Sequence, residues 1–208
     1  MIITDEATGV KYLVTEIKDE HPKGPKVALV VGHHEASKGD YSNLFKQHEW
    51  DYWKWFAENY EKWEGDVSIF FHDPKINSYI ERQRDTAKRT ADYDLVFELH
   101  WNAFDPDGDG VDNASGTECL VYPGNERSFK TAEYFCNTMS NSGFKNRGVK
   151  ILNPGDNGYG FVSETKGDAI LVEFFFADSK TDFEYWTTEA GVYAINRAIG
   201  RYTELFKG

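Results

Sequence analysis

Short apolar runs alternate with amphipathic segments along most of this chain of 208 residues. The runs read VALVV (27–31), DVSIFF (66–71), DLVFELH (94–100), TECLVY (117–122) and DAILVEF (168–174). Such runs are typical of strands buried on both faces of a parallel sheet. Apolar residues at every third or fourth position predict helices at about 43–63, 77–91, 127–142 and 183–206. We therefore expect an α/β fold, a three-layer sandwich with a mostly parallel, twisted sheet of about six strands and helices on both faces.

The chain length favours one domain over residues 1–208. Residues 1–25 are polar and end in a stretch rich in Pro and Gly, so we expect an N-terminal extension or small hairpin there and the core of the domain over 26–208. A core of this size needs no disulfide to be stable. Cys119 and Cys136 are accordingly interpreted as buried thiols, with a single disulfide as the alternative.

Charge and hydropathy exclude several classes of partner. The net charge of −12 argues against nucleic-acid binding, which requires a basic surface. No apolar stretch approaches the roughly 18 residues of a membrane span, and the N-terminus lacks the basic and apolar segments of a signal peptide. We expect a monomer that is synthesised in the cytoplasm, binds no nucleic acid and does not insert into a membrane.

Ionisable side chains stand where three of the predicted strands end. His33 and His34 follow VALVV, His100 follows LVFEL, and Glu173 follows AILV. Ligands of open α/β sheets bind outside the carboxyl ends of the strands. Glu49 belongs to the same edge, because it lies on the apolar face of the predicted helix 43–63, near its N-terminus. The pattern predicts that imidazoles and carboxylates meet there.

Two histidines and one glutamate from separate elements form a typical catalytic zinc set, which leaves one position for water. The sequence thus predicts His33, Glu49 and His100 as zinc ligands, with His34 as the alternative to His33. Glu173 remains as a general base for the attacking water, which would explain a costly carboxylate in an apolar strand. Each histidine could instead be a structural residue, and each glutamate one half of a buried ion pair.

Several stretches of the chain resemble the motifs of one known family. They are Gly32-His33, Glu49 in the first long helix, ELHWNAF (98–104), SGTECLVY (115–122), NRGVK (146–150) and AILVEFFF (169–176). ELHWNAF is similar to the family's Ser-x-His-x-Asn-Ala signature. The family is that of the zinc-dependent N-acetylmuramoyl-L-alanine amidases of the amidase_3 type, which include phage endolysins, and the resemblance extends from about Lys26 to Phe206.

This resemblance implies hydrolysis of the amide between N-acetylmuramic acid and L-alanine in peptidoglycan. It implies that His33, Glu49 and His100 hold one Zn²⁺, and that Glu173 acts first as base and then as acid. We expect a phage or prophage endolysin that acts on the cell wall after release. The alternatives are a zinc peptidase that cuts within the stem peptide and a metal-free wall-binding or structural phage protein.

The chain departs from the family pattern at positions that concern substrate contacts rather than metal ligands. His34 stands where the family has Gly, and His72-Asp73 stands where it often has Thr-Arg. After the glutamate, Phe175-Phe176 replace the usual Gly-Phe. Trp101 and Asn102, beside His100, are the candidate substrate contacts.

The other aromatic and acidic clusters have simpler interpretations. Trp50, Trp53, Trp55 and Trp63 crowd one predicted helix, and we favour core packing over a sugar-binding platform for most of them. Asp105, Asp107 and Asp109 copy the start of a calcium loop, but its twelfth position is Gly116 rather than a bidentate Glu. A solvated turn is therefore favoured, with Ca²⁺ as the alternative.

Overall fold

The computed structural model describes residues 2–4, 11–13, 24–59, 66–104 and 114–206. The strands are β1 (Ile2–Thr4), β2 (Lys11–Leu13), β3 (Lys26–Val31), β4 (Tyr41–Ser42), β5 (Gln47–His48), β6 (Asp66–Phe71), β7 (Leu95–Asn102), β8 (Thr117–Val121), β9 (Asn146–Ile151) and β10 (Asp168–Phe176). The helices are α1 (Glu49–Asn59), α2 (Tyr79–Arg89), α3 (Glu126–Asn141), α4 (Tyr159–Glu164), α5 (Lys180–Tyr185) and α6 (Thr188–Phe206).

A six-stranded sheet in the order β6-β3-β7-β10-β8-β9 forms the centre of the fold. Neighbouring strands run parallel except β10 and β8, which pair antiparallel. Two small antiparallel sheets, β1 with β2 and β4 with β5, accompany it. The α/β class and the mostly parallel sheet are thus as the sequence predicts.

Alternating side chains of the central strands supply two cores, one on each face of the sheet. In β3, Val27, Leu29 and Val31 enter the larger core, whereas Ala28 and Val30 enter the smaller one. Residues of α1, α3 and α6 complete the larger core, and residues of α4 complete the smaller. Helix α2 packs on α4. Helices therefore cover both faces, which confirms the three-layer prediction.

The first long helix begins later than its apolar spacing suggests. Helix α1 starts at Glu49, and the preceding residues form the β4–β5 hairpin, with Lys46 at a positive φ of 57°. Phe45 fits the helical spacing because it joins the same aromatic cluster, stacking on Phe175 at 5.1 Å and contacting Tyr52 at 5.3 Å between ring centroids. The predicted helical start at residue 43 is wrong, since packing against a shared core mimics helical periodicity.

The single closing helix predicted over 183–206 is instead two helices. Trp186 is extended, with φ −69° and ψ 123°, and ends α5. The Thr187 hydroxyl then accepts a hydrogen bond from the Ala190 N–H at 3.1 Å, which caps the start of α6. The interruption lets the Trp186 ring pack on Phe174 and Phe175. Strand β9 and the short helix α4 were not anticipated.

Neither a disulfide nor a helix suited to crossing a bilayer occurs in the described part of the chain. Cys119 and Cys136 are free thiols buried in the larger core, as expected, and burial raises the pKa of the Cys119 thiol. No described helix combines the length and the hydrophobicity that a membrane crossing requires.

Candidate metal centre and active site

Three of the predicted site residues meet at one edge of the sheet. His33 follows β3, Glu49 is the first residue of α1, and His100 lies near the end of β7. Glu49 Oε2 lies 2.9 Å from His33 Nε2, and Glu49 Oε1 lies 2.8 Å from His100 Nδ1. One ligand atom from each residue lies within 4.8 Å of the other two, so a single ion could contact all three.

Two glycines make this close approach possible. A Cβ atom on Gly32 would stand 2.3 Å from His100 Cε1 and 2.6 Å from the Leu99 carbonyl. A Cβ atom on Gly39 would stand 2.7 Å from Glu49 Oε2 and from the His33 ring. His33 itself has a φ of 61°, a left-handed conformation that costs a non-glycine residue roughly 1 kcal/mol. The backbone is thus shaped to hold these side chains together.

Charge favours a cation at the same place. Burial raises the pKa of Glu49, but hydrogen bonds from His100 and His33 outweigh this effect and hold that pKa below its usual range. Burial likewise lowers the pKa of His100, but Glu49 and Glu98 outweigh it and raise that pKa well above its usual range. Carboxylates that attract a proton also attract a metal ion. Two imidazoles and one carboxylate form a donor set that fits zinc.

Glu173 lies beside the three ligands without belonging to them. Its Cα is in register with His100 of β7 on one side and with Glu118 of β8 on the other. Its Oε2 atom is buried and has no hydrogen-bond partner among the described residues. Burial raises the pKa of Glu173 to about 8, with His100 opposing and the carboxylates Glu49, Glu118 and Glu98 reinforcing the shift. A buried polar atom left unpaired costs about 1–3 kcal/mol, which indicates a functional role.

The structure brings His33, and not His34, to this cluster. The backbone of His34 pairs with Ser37, and its ring is buried, which lowers the pKa of His34. His34 Nδ1 has no partner among the described residues and takes no part in the three-residue cluster. His48, next to Glu49, instead places Nδ1 3.2 Å from the Gly39 carbonyl.

The side chain of Trp101, a predicted substrate contact, lies in the core. Its side chain is 3% exposed and packs in the larger core against Phe45, Tyr52 and Phe175. Successive side chains of a strand point to opposite faces, so the neighbour of His100 must point away from the site. Trp101 contributes through its backbone, whose N–H donates to Glu49 Oε1 at 3.1 Å.

Asn102, the other predicted substrate contact, does line the cleft. Its Nδ2 donates to Glu118 Oε1 at 3.0 Å, and Arg147 Nε donates to Glu118 Oε2 at 2.9 Å. These three residues form a polar wall beside Glu173. The predicted calcium-loop residues Asp105, Asp107 and Asp109 lie outside the described residues, as does Trp63.

Sequence reasoning missed two buried residues behind His100. Glu98 Oε2 lies 3.3 Å from His100 Nε2, and Glu98 Oε1 lies 2.8 Å from His72 Nε2. Burial raises the pKa of Glu98, but hydrogen bonds from His100 and His72 outweigh it and lower that pKa. The signal was present, because Glu98 interrupts an apolar strand two positions before His100 and therefore shares its face.

The site opens into a cleft of about 870 Å³. One wall comes from α2, with Tyr79, Arg82 and Gln83, and the other from residues 155–160 around the start of α4. Both histidines of the cluster, Glu49 and Glu173 lie along this cleft. Its size and polar lining suit a substrate larger than a single amino acid.

An open α/β sheet with a His–Glu–His cluster and a separate buried carboxyl at its strand ends defines a class, that of hydrolases with a candidate metal centre. The sequence model of the N-acetylmuramoyl-L-alanine amidase family, Amidase_3, matches residues 27–202. The chain therefore belongs to this family of peptidoglycan-degrading amidases. No curated protein matches the chain in sequence.

Solved structures of three amidases and endolysins share the fold. The catalytic domain of the CD27L endolysin targeting Clostridia difficile has a TM-score of 0.65 and 24% identity, over 87% of this chain and 97% of that one. An N-acetylmuramoyl-L-alanine amidase from Clostridium difficile 630 has a TM-score of 0.66 and 19% identity, over 89% and 100%. The amidase AmiC2 of Nostoc punctiforme has a TM-score of 0.62 and 21% identity, over 88% and 99%.

Proposed function

We propose that this chain is a zinc-dependent N-acetylmuramoyl-L-alanine amidase that cleaves the amide bond between N-acetylmuramic acid and L-alanine of peptidoglycan. His33, Glu49 and His100 would hold one zinc ion, and Glu173 would be the catalytic base. The observation that carries the proposal is the buried Oε2 atom of Glu173, which has no hydrogen-bond partner among the described residues and lies on a residue in register with His100, beside the three-residue cluster.

When bound, zinc polarises the scissile carbonyl and lowers the pKa of a water molecule to about 7. Glu173 accepts a proton from the attacking water and then donates it to the departing nitrogen of L-alanine. Its raised pKa suits both steps, because a carboxyl that titrates near neutral pH can both take and release a proton. The charge of a bound zinc ion would lower this pKa from about 8 towards neutrality.

Residues 26–208 would form the catalytic domain, which we expect to act as a monomer on peptidoglycan. We further propose that the chain is a phage or prophage endolysin that acts on the cell wall after release. The structural similarity to the CD27L catalytic domain, itself described as part of an endolysin, supports this setting.

Product analysis tests the reaction. Purified sacculi are digested with wild type, with Glu173→Ala and with Glu133→Ala, which removes an exposed glutamate of α3 as a matched control. We expect wild type and Glu133→Ala to release intact stem peptides that begin with L-alanine, and Glu173→Ala to release almost none. Mass spectrometry identifies the new amino terminus.

Other products would change the assignment. Peptides with a new terminus inside the stem peptide would indicate a zinc peptidase. No release by zinc-loaded wild type would contradict enzymatic activity on this substrate and favour a wall-binding role. Removal of metal with a chelator is expected to abolish release, and added zinc to restore it.

A further inference from the structure

A line of buried hydrogen bonds leads from helix α2 to the back of His100. Arg89 Nη2 lies 3.3 Å from Thr86 Oγ1, which lies 2.9 Å from His72 Nδ1. His72 Nε2 lies 2.8 Å from Glu98 Oε1, and Glu98 Oε2 lies 3.3 Å from His100 Nε2. Thr86, His72 and Glu98 are 0%, 4% and 2% exposed, so these contacts are largely shielded from bulk water.

The donors along this line fit the following arrangement. Arg89 can only donate, so the Thr86 oxygen accepts from it, and the Thr86 hydroxyl proton can be donated to His72 Nδ1. His72 then carries its proton on Nε2 and donates it to Glu98. The second oxygen of Glu98 accepts from His100 Nε2. In the metal-free protein His100 Nδ1 donates to Glu49, and a metal ion would displace only that Nδ1 proton.

We propose that Glu98, oriented by His72, is a positioning residue that fixes the ring and the tautomer of His100, so that Nδ1 is presented to the metal ion. This inference rests on the zinc site of the proposed function but not on the identity of the substrate. A carboxylate behind a ligating histidine orients the ring and makes it a better donor, and its loss typically lowers metal affinity about 10–100-fold.

The first test is Glu98→Gln. The amide has one acceptor oxygen where the carboxylate has two, so it can accept from His72 or from His100 but not from both. We expect the zinc dissociation constant, measured by competition with a chromogenic chelator, to rise about 10–100-fold. The visible spectrum of the cobalt(II)-substituted protein is expected to change as well, because the ligand geometry differs.

Asp168→Asn is the matched control. Asp168 is also buried, 5% exposed, and hydrogen-bonded to Asn125 and Tyr202, but it lies at the opposite end of β10 from Glu173. This variant is expected to lower the melting temperature and to leave zinc affinity and the cobalt spectrum unchanged. Comparison of Glu98→Gln with Asp168→Asn therefore distinguishes a specific effect on the metal ligand from a general loss of stability.

A second pair of variants, at His72, tests the line even if Glu98→Gln fails to fold. His72→Leu removes the donor to Glu98, whereas the amide of His72→Gln can still donate to it. We expect His72→Leu to weaken zinc binding about 10-fold and His72→Gln to restore most of the wild-type affinity.

Unchanged zinc affinity and an unchanged cobalt spectrum in folded Glu98→Gln would overturn the proposal. Equal affinities of His72→Leu and His72→Gln would also overturn it. If wild type itself took up no zinc, the proposed function would fail together with the role of Glu98. If wild type bound zinc normally and neither Glu98→Gln nor His72→Leu weakened that binding, only the role of Glu98 would be refuted and the proposed function would stand.

Discussion

Strand β10 carries an acid near each end, and the surroundings of the two acids differ. Asp168 Oδ1 accepts a hydrogen bond from Asn125 at 2.9 Å, and Oδ2 accepts from Tyr202 at 2.7 Å and from Arg127 at 2.9 Å. Glu173 Oε2, at the other end, has no hydrogen-bond partner among the described residues. Asp168 is buried and Glu173 is half-buried, but their hydrogen-bond partners distinguish them more clearly.

The difference separates a structural carboxylate from a reactive one. Three donors around Asp168 tie β10 to α3 and α6 and offset the cost of burying its charge. Glu173 Oε2 lacks such donors and other carboxylates surround it, so Glu173 holds its proton more tightly than an ordinary carboxyl and exchanges it near neutral pH. The hydrogen-bond partners of an acid in an apolar strand therefore indicate whether its role is structural or chemical.

The largest expected effect is on catalysis. Glu173→Gln keeps the shape of the side chain but cannot accept a proton, so we expect the rate of stem-peptide release to fall about 10²–10⁴-fold. Bound zinc, measured by atomic absorption, is expected to stay at the wild-type level. Asp168→Asn is expected to retain most of the activity when it is assayed well below its melting temperature. Full activity of Glu173→Gln would show that another group is the base.

The second largest effect is a loss of stability, which we expect for substitution of Asp168. Asp168→Asn replaces one acceptor oxygen with a donor that faces Tyr202 or Asn125, so we expect the free energy of unfolding to fall by about 2–3 kcal/mol. Urea denaturation measures the change. Tyr202→Phe removes one of the donors to Asp168 and is expected to lower the free energy of unfolding by less. A wild-type midpoint for Asp168→Asn would show that its partners contribute nothing to the fold.

The smallest effect is on the pH dependence of stability. Because the pKa of Glu173 is raised to about 8 in the folded metal-free protein, the folded state binds more protons than the unfolded state between about pH 4.5 and pH 8. This group therefore lowers stability as pH rises through that window. Glu173→Gln removes the effect, so we expect metal-free Glu173→Gln to gain about 1–2 kcal/mol over wild type at pH 8 and nothing at pH 4.5.

Melting curves in the presence of a chelator, recorded from pH 4.5 to pH 8, test this expectation. The difference between Glu173→Gln and wild type must grow with pH. A constant difference would mean that the buried carboxyl is already ionised in the folded protein at low pH.

Much of the fold and the candidate site follows from the sequence because the strands are parallel and apolar. Their carboxyl ends must share one edge, which is why His33, His100 and Glu173 could be placed together across more than half of the chain. Glu49 could be added to them because the helical repeat places it on the apolar face of the predicted helix, near its N-terminus. The roles of these four residues remain predictions that the experiments above address.

The remaining features depend on contacts between distant parts of the chain. Nothing local shows that His72 reaches Glu98, because β3 lies between their strands in the sheet. Phe45 matched a helical stripe because it packs in the same core as α1. The orientation of Trp101, in contrast, follows from strand alternation and could have been deduced beside His100.

The reversed direction of β8 has a consequence for how the protein could diversify. Strand β7 ends at Asn102 and β8 begins at Thr117, and both termini lie at the edge that holds Glu173. Insertions or deletions between these two strand ends need not alter the register of any strand. Evolution or a protein engineer could therefore vary the length of this connection while the residues of the proposed site stay in place.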